Sequence, residues 1–206
     1  MQGKEHWDSV YATKPATSVS WFQAHAAPSL HLIAGTGVPR SASIIDVGGG
    51  ASTLVDDLLG QGYESLTVLD ISATALDSAR ARLGEAADRV AWLAADITAA
   101  ELPAAAFDVW HDRAVFHFLT AAEQRAAYVR NVLRAVKPGG HVIVSTFAED
   151  GPERCSGLPV MRYSAGGLHA EFGAPFELVR HEREDHRTPA GATQKFIYCY
   201  CRLREG

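Results

Sequence analysis

The chain contains no apolar run near the roughly 18 residues that a membrane-spanning helix requires. That excludes a spanning helix. Its first twenty residues are polar and aromatic, without the charged stub and apolar stretch of a secretory leader. Cysteine is scarce. Cys155, Cys199 and Cys201 make an odd set, too few for a disulfide framework. Free thiols suit a reducing compartment, so a cytoplasmic location is expected. Blocks of five or six basic residues are also missing, and 19 Lys and Arg against 24 Asp and Glu leave a net charge of −5. Nucleic-acid binders need a positive field to neutralise phosphates, so no nucleic-acid partner is expected. Internal repeats and low-complexity linkers are absent as well.

What remains is an ordinary globular composition, 47% hydrophobic and 21% charged over 206 residues. That length suits one domain over residues 1–206, large enough to bury a core without staples. Four apolar runs read as buried parallel strands: Ser43–Val47, Ser65–Asp70, Val90–Ala94 and His141–Phe147. A weaker run, Phe107–His111, falls where the alternation requires another strand. Continuous rather than alternating apolar character fits strands covered on both faces.

Helices are expected between them. Leu54, Val55, Leu58 and Leu59 share one face at helical spacing. Ser72 can cap a helix carrying Leu76, Ala79 and Leu83. Thr120 and Glu123 have capping-box spacing for a third helix, which Lys137-Pro138-Gly139-Gly140 should stop. Toward the C-terminus, Phe176–Arg180 and Gln194–Arg202 flank a Thr188-Pro189-Ala190-Gly191 turn, with no helix between. They should pair as an antiparallel hairpin. The pattern predicts a doubly wound α/β fold: a mostly parallel, seven-stranded, Rossmann-like sheet with helices on both faces.

The most informative stretch is Ile44-Ile45-Asp46-Val47-Gly48-Gly49-Gly50, a strand that ends in glycines before a helix. Glycine permits a sharp turn and lets a ligand approach the backbone. Ligands of open α/β sheets bind at the carboxyl ends of strands, near the switch in strand order. Asp70-Ile71 and Asp96-Ile97 end the next two strands. Carboxylates there can accept ribose hydroxyls and an adenine amino group, while the isoleucines cover the ring. Gly48-x-Gly50 followed by Asp70 also partly matches a dinucleotide fingerprint, but Thr53 replaces its third glycine. A nicotinamide oxidoreductase is therefore the second reading.

The order Asp46-Val47-Gly48-Gly49-Gly50, Asp70-Ile71, Asp96-Ile97 and Lys137-Pro138-Gly139-Gly140 resembles the class I S-adenosylmethionine-dependent methyltransferases. The resemblance covers about residues 43–147, and the terminal hairpin matches the family's last two strands. It implies S-adenosyl-L-methionine as cofactor and a small molecule or protein side chain as methyl acceptor. Asp46 and the glycines would face the methionine part, Asp70 the ribose, and Asp96 with Ile97 the adenine. The glycine triplet departs from the family, which often has a larger middle residue. A protein that binds the donor without turnover is a further alternative.

By the same resemblance, residues 111–118 lie on the substrate side. Asp112 and Arg113 are candidates for binding a polar acceptor, and His117 for a general base. The Asn-Pro-Pro-Tyr type motif of amide and adenine N-methyltransferases is absent. Residues 1–40 are expected to form a helical lid, with Trp21 over the donor and Trp7 and Tyr11 on the substrate side. Lys14 could contact the donor's carboxylate. Residues 148–206 would supply a second wall through Cys155, Tyr163 and His186, with Thr188 and Gln194 nearby. A soft metalloid held by Cys155 with Cys199 or Cys201 is a sharper idea, although no zinc spacing is present.

Overall fold

A computed structural model describes residues 3–205. Seven strands form one sheet: β1 (Ser43–Val47), β2 (Ser65–Asp70), β3 (Val90–Ala94), β4 (Phe107–Arg113), β5 (Val136–Phe147), β8 (Phe176–Arg187) and β9 (Thr193–Leu203). A separate two-residue pair, β6 (Arg154–Cys155) and β7 (Leu158–Pro159), forms a small hairpin. The sheet order is β3-β2-β1-β4-β5-β9-β8. The first five strands run parallel, and β9 pairs antiparallel with both β5 and β8. This is the Rossmann-like architecture read from the sequence. The order reverses between β1 and β4, which opens a crevice at their carboxyl ends.

Among the described residues six α-helices accompany the sheet: α1 (Lys4–Thr13), α2 (Ala27–Gly35), α3 (Leu54–Gly60), α4 (Ala73–Leu83), α5 (Ala122–Ala135) and α6 (Ala165–Phe172). Period-two alternation divides the strand side chains between two cores. Ile45, Val47, Trp110, Val142 and Val144 pack on one face with Tyr128, Val132 and Ala135 of α5. Ile44, Leu66, Val68, Val109 and Ile143 pack on the other with α2 and α3. Ser72 caps α4 as its position predicts, its hydroxyl accepting the Ala75 N–H at 3.2 Å.

Several local expectations are corrected. The Thr120–Glu123 capping box does not form. A short helical turn at Phe116–Phe118 leads into α5, whose cap is Ala121 and lacks a side-chain bond. Residues 137–140 do follow α5 directly, but they belong to β5 as an outward bulge. The register runs from Phe107↔Val136 to Val109↔His141. Strand β3 is an edge, not a buried strand, because no strand lies beyond it, and Leu93 is exposed. The opposite edge, β8, carries Arg180, Glu182, Arg183, Asp185 and Arg187, which discourage pairing with another chain.

Asp112, at the end of β4, is fully buried. It accepts the N–H groups of Val115 (2.8 Å) and Phe116 (3.1 Å) and the Tyr128 hydroxyl (2.7 Å). Burial nevertheless pushes its carboxyl up to about 7. It fixes the turn after β4 to α5. Asp112→Ala would leave three buried donors without an acceptor and should cost about 3 kcal/mol or more in urea unfolding. An unchanged unfolding midpoint would contradict this role.

Candidate functional site

The crevice at the strand ends contains two adjoining clefts. The first, about 640 Å³ including its mouth, is lined by Gly48, Asp70, Ile71, Ile97, Arg113 and Cys155, with Trp7, Tyr11 and Trp21 on its N-terminal side. The second, about 560 Å³, is lined by Asp46, Gly48, Gly49, Ser29, His111 and Arg113. Tyr11, Trp21, Gly48 and Arg113 border both.

The glycines are required by space as well as by conformation. Gly48 has φ +71°, and a Cβ there would collide with the Val115 side chain. A Cβ on Gly49 would lie 2.5 Å from Asp46 Oδ2. At Gly50 (φ +39°) it would lie 2.7 Å from Asp70 Oδ2 and 3.4 Å from the Tyr11 hydroxyl. The turn therefore brings bare backbone against the two carboxylates, a surface that a compact polar ligand can approach.

Asp70 ends β2 with one oxygen accepting the Ser72 N–H at 2.8 Å. Burial, reinforced by Asp46 and Asp8, raises its carboxyl to about 7. Ile71, Ala95 and Ile97 supply apolar lining beside it. Asp96 is not part of that lining. Its Oδ1 accepts the Thr98 N–H and hydroxyl at 2.8 and 2.7 Å, closing its own turn.

The N-terminal segment reaches across the crevice and is fastened at both ends. Asp8 of α1 meets the start of α4, accepting from the Ser72 hydroxyl at 2.7 Å. The Trp21 carbonyl accepts from Arg113 at 3.3 Å, and Gln23 donates to Glu184 at 2.6 Å. Arg113 pairs with Glu184 at 3.2 Å, bonds the Tyr198 hydroxyl at 3.0 Å and stacks over Phe196. Trp7 meets Trp21 and Phe118 edge to face at 5.8 and 5.1 Å. Lys14 is exposed and outside the clefts.

Other candidates lie elsewhere. His117 lines neither cleft. Its ring is fully buried against Phe118 and Phe147, and burial, then Arg113, lowers it to about 3. It is a core histidine, unsuited to taking a proton at neutral pH. Asp112 is likewise committed to the turn after β4. Tyr163 packs on the α5 side, bonded to Glu171 at 3.1 Å. His186 is buried and joined to the Ser20 carbonyl at 2.8 Å, tying the N-terminal segment to β8. Thr188 closes the hairpin turn and Gln194 donates to Ser20. Cys155 does line the first cleft, and burial pushes its thiol up to about 12, so it stays protonated. Cys199 and Cys201 lie 3.3 Å apart in the opposite core, so the sheet separates them from Cys155 and the shared metalloid site fails.

Sequence reasoning missed Ser29 and gave His111 no role beyond its place in the substrate-side segment 111–118. Nothing in the pattern around Ser29 distinguishes it from an ordinary helix-start serine, and His111 sits within a strand. The spacing of β1 and β4 offered the only clue, since register puts His111 beside Asp46.

Crevice and sheet order together define the fold of the S-adenosylmethionine-dependent transferases. Residues 44–140 match the family model described as a methyltransferase domain. The chain is 23% identical over 200 residues to human EEF1A lysine methyltransferase 2, covering 80% of each. It is 36% identical over 104 residues to an uncharacterized methyltransferase of Mycobacterium tuberculosis, covering 50% of each. The solved structure described as "Conversion of a Disulfide Bond into a Thioacetal Group during Echinomycin Biosynthesis" superposes with a TM-score of 0.80 at 17% identity, over 98% of this chain and 92% of that one. Burkholderia thailandensis 1,6-didemethyltoxoflavin-N1-methyltransferase, solved with its substrate and S-adenosylhomocysteine, gives 0.67 at 21% identity, over 98% and 84%. Residues 44–140 thus match a methyltransferase domain, and the chain has the fold of S-adenosylmethionine-dependent methyltransferases.

Gly48→Ala should distort the turn, because its Cβ would collide with Val115 and the positive φ is strained. Calorimetric titration with S-adenosylhomocysteine should show at least about a tenfold weakening, equivalent to roughly 1.4 kcal/mol. Wild-type affinity would show that the turn does not touch the cofactor.

Proposed function

We propose that this chain transfers the donor's methyl group to a small-molecule acceptor admitted beneath the N-terminal aromatic residues. The observation that carries this reading is the first cleft, where a side-chain-free turn, a buried carboxylate and two isoleucines face Trp7, Tyr11 and Trp21. Gly48 to Gly50 and Asp46 face the methionine part, Asp70 accepts the ribose hydroxyls, and Ile71 and Ile97 flank the adenine. Within the described residues, 3–40 act as the lid, and 148–205 complete the wall through Cys155 and the β8–β9 hairpin.

The cofactor supplies an activated methyl group on a sulfonium. The chain's own work is to align the acceptor and exclude water, which can contribute roughly 7–11 kcal/mol. Arg113 shapes the wall between the clefts while Glu184 and Tyr198 hold it in place. The aromatic cover favours a small acceptor with an apolar face. Protein side chains form the second reading, favoured by the lysine methyltransferase relative that covers 80% of the chain. Release of S-adenosylhomocysteine should therefore be measured with panels of small nucleophiles and with protein extracts. Turnover confined to the extracts would overturn the small-molecule assignment.

Asp70 gives this reading a pH signature. A carboxyl raised to about 7 is protonated below that pH and can no longer accept both hydroxyls. Donor affinity should fall as pH drops from 8 to 6, by up to about tenfold. Asp70→Ala should weaken binding at pH 8 and flatten the profile. Unchanged affinity in that variant would refute the ribose assignment.

A further inference from the structure

Under the glycine turn, three buried side chains form a chain of which the reading above uses only Asp46. Asp46 Oδ1 lies 2.7 Å from His111 Nδ1, and His111 Nε2 lies 2.9 Å from Ser29 Oγ. Asp46 is 5% exposed, His111 2% and Ser29 0%, yet all three border the second cleft. They are brought together by topology. Asp46 and His111 are register partners on β1 and β4, and α2 packs its first turn over them.

A buried carboxylate is stable only when its oxygens are satisfied. Here one oxygen is held by the imidazole and the other is turned toward Gly49. With the Nδ1 proton directed at Asp46, Nε2 accepts the Ser29 hydroxyl proton, and the array carries one negative charge. Second-shell bonds of this kind fix the orientation of a charged group at a site. Methionine's ammonium group is the complementary charge, and in a dry cleft that attraction is weakly screened.

We infer that His111 and Ser29 are positioning residues for the donor's amino-acid tail, acting through Asp46. This rests on the reading that Asp46 faces the methionine part. Two ligands separate the tail from the nucleoside: S-adenosylhomocysteine carries the ammonium, and 5′-methylthioadenosine lacks it. Both should be titrated calorimetrically into wild-type protein and into the His111→Leu, His111→Asn and Ser29→Ala variants.

Loss of a hydrogen bond to a charged group predicts about tenfold or greater weakening of S-adenosylhomocysteine by His111→Leu. Affinity for 5′-methylthioadenosine should stay within about twofold, since the nucleoside does not reach the array. His111→Asn, which retains a donor toward Asp46, should recover most of the loss. Ser29→Ala should give a smaller effect of the same selectivity. Equal weakening of both ligands, or of neither, would overturn the inference. Should His111→Leu fail to fold, the Asn and Ala variants decide by the same ligand selectivity. Asp46→Asn separates the two levels. If it weakens S-adenosylhomocysteine while the His111 and Ser29 variants do not, only the relay fails. If it has no effect, the placement of the methionine part fails with it.

Discussion

The turn from Gly48 to Gly50 has no room for a single β-carbon, and the rest of the site is arranged around that fact. Val115 closes it from one side, Asp46 lies beneath it and Asp70 lies beside it. Each neighbour comes from a different strand or from the turn after one. The backbone can hold this path only because β1 sits between β2 and β4, where the strand order reverses. A parallel sheet thus creates the crevice, and glycine leaves it open. A methyl group added here would collide with the side chains packed against the turn and displace them.

A second constraint is the burial of charge around that turn. Asp46 is hydrogen-bonded to the imidazole of His111, and Arg113 is paired with Glu184 and bonded to the Tyr198 hydroxyl. Such pairs are weak contributors to stability, but removing one partner is costly because the other is left stranded. Their arrangement joins three regions distant in sequence. The segment around Trp21 and Gln23, the end of β4 and the hairpin strand β8 all meet at Arg113 and Glu184. Cover and wall are therefore coupled, and opening the crevice requires breaking bonds to a buried ion pair.

Much of this was legible in the sequence, and the reasons are local. Apolar runs marked β1, β2 and β5, alternation placed the weaker β4, and the Gly-rich end of β1 located the crevice. Ser72 announced α4 by its own hydroxyl. The misreadings arose where tertiary context overrides local chemistry. Thr120 had the right neighbour at Glu123, but the helical turn before it set the cap of α5 one residue further on, at Ala121. Val90–Ala94 looked like an interior strand because its composition is apolar, and only the sheet order reveals an edge. His117 and Tyr163 stand near site residues in the chain but face the cores, since alternation and a tight turn direct them away. Ser29 carried no signal, and His111 fell in the substrate-side segment, but its pairing with Asp46 depends on strand register, which one sequence does not specify.

The central claim is that the adenosyl group occupies the cleft bounded by Asp70, Ile97 and Trp7. A crystal structure with S-adenosylhomocysteine bound tests it most directly. The account predicts ribose hydroxyls on the Asp70 carboxylate, the adenine between Ile71 and Ile97, and the amino-acid tail toward Asp46. Density for the adenosyl group elsewhere, with this cleft filled only by water, would contradict it.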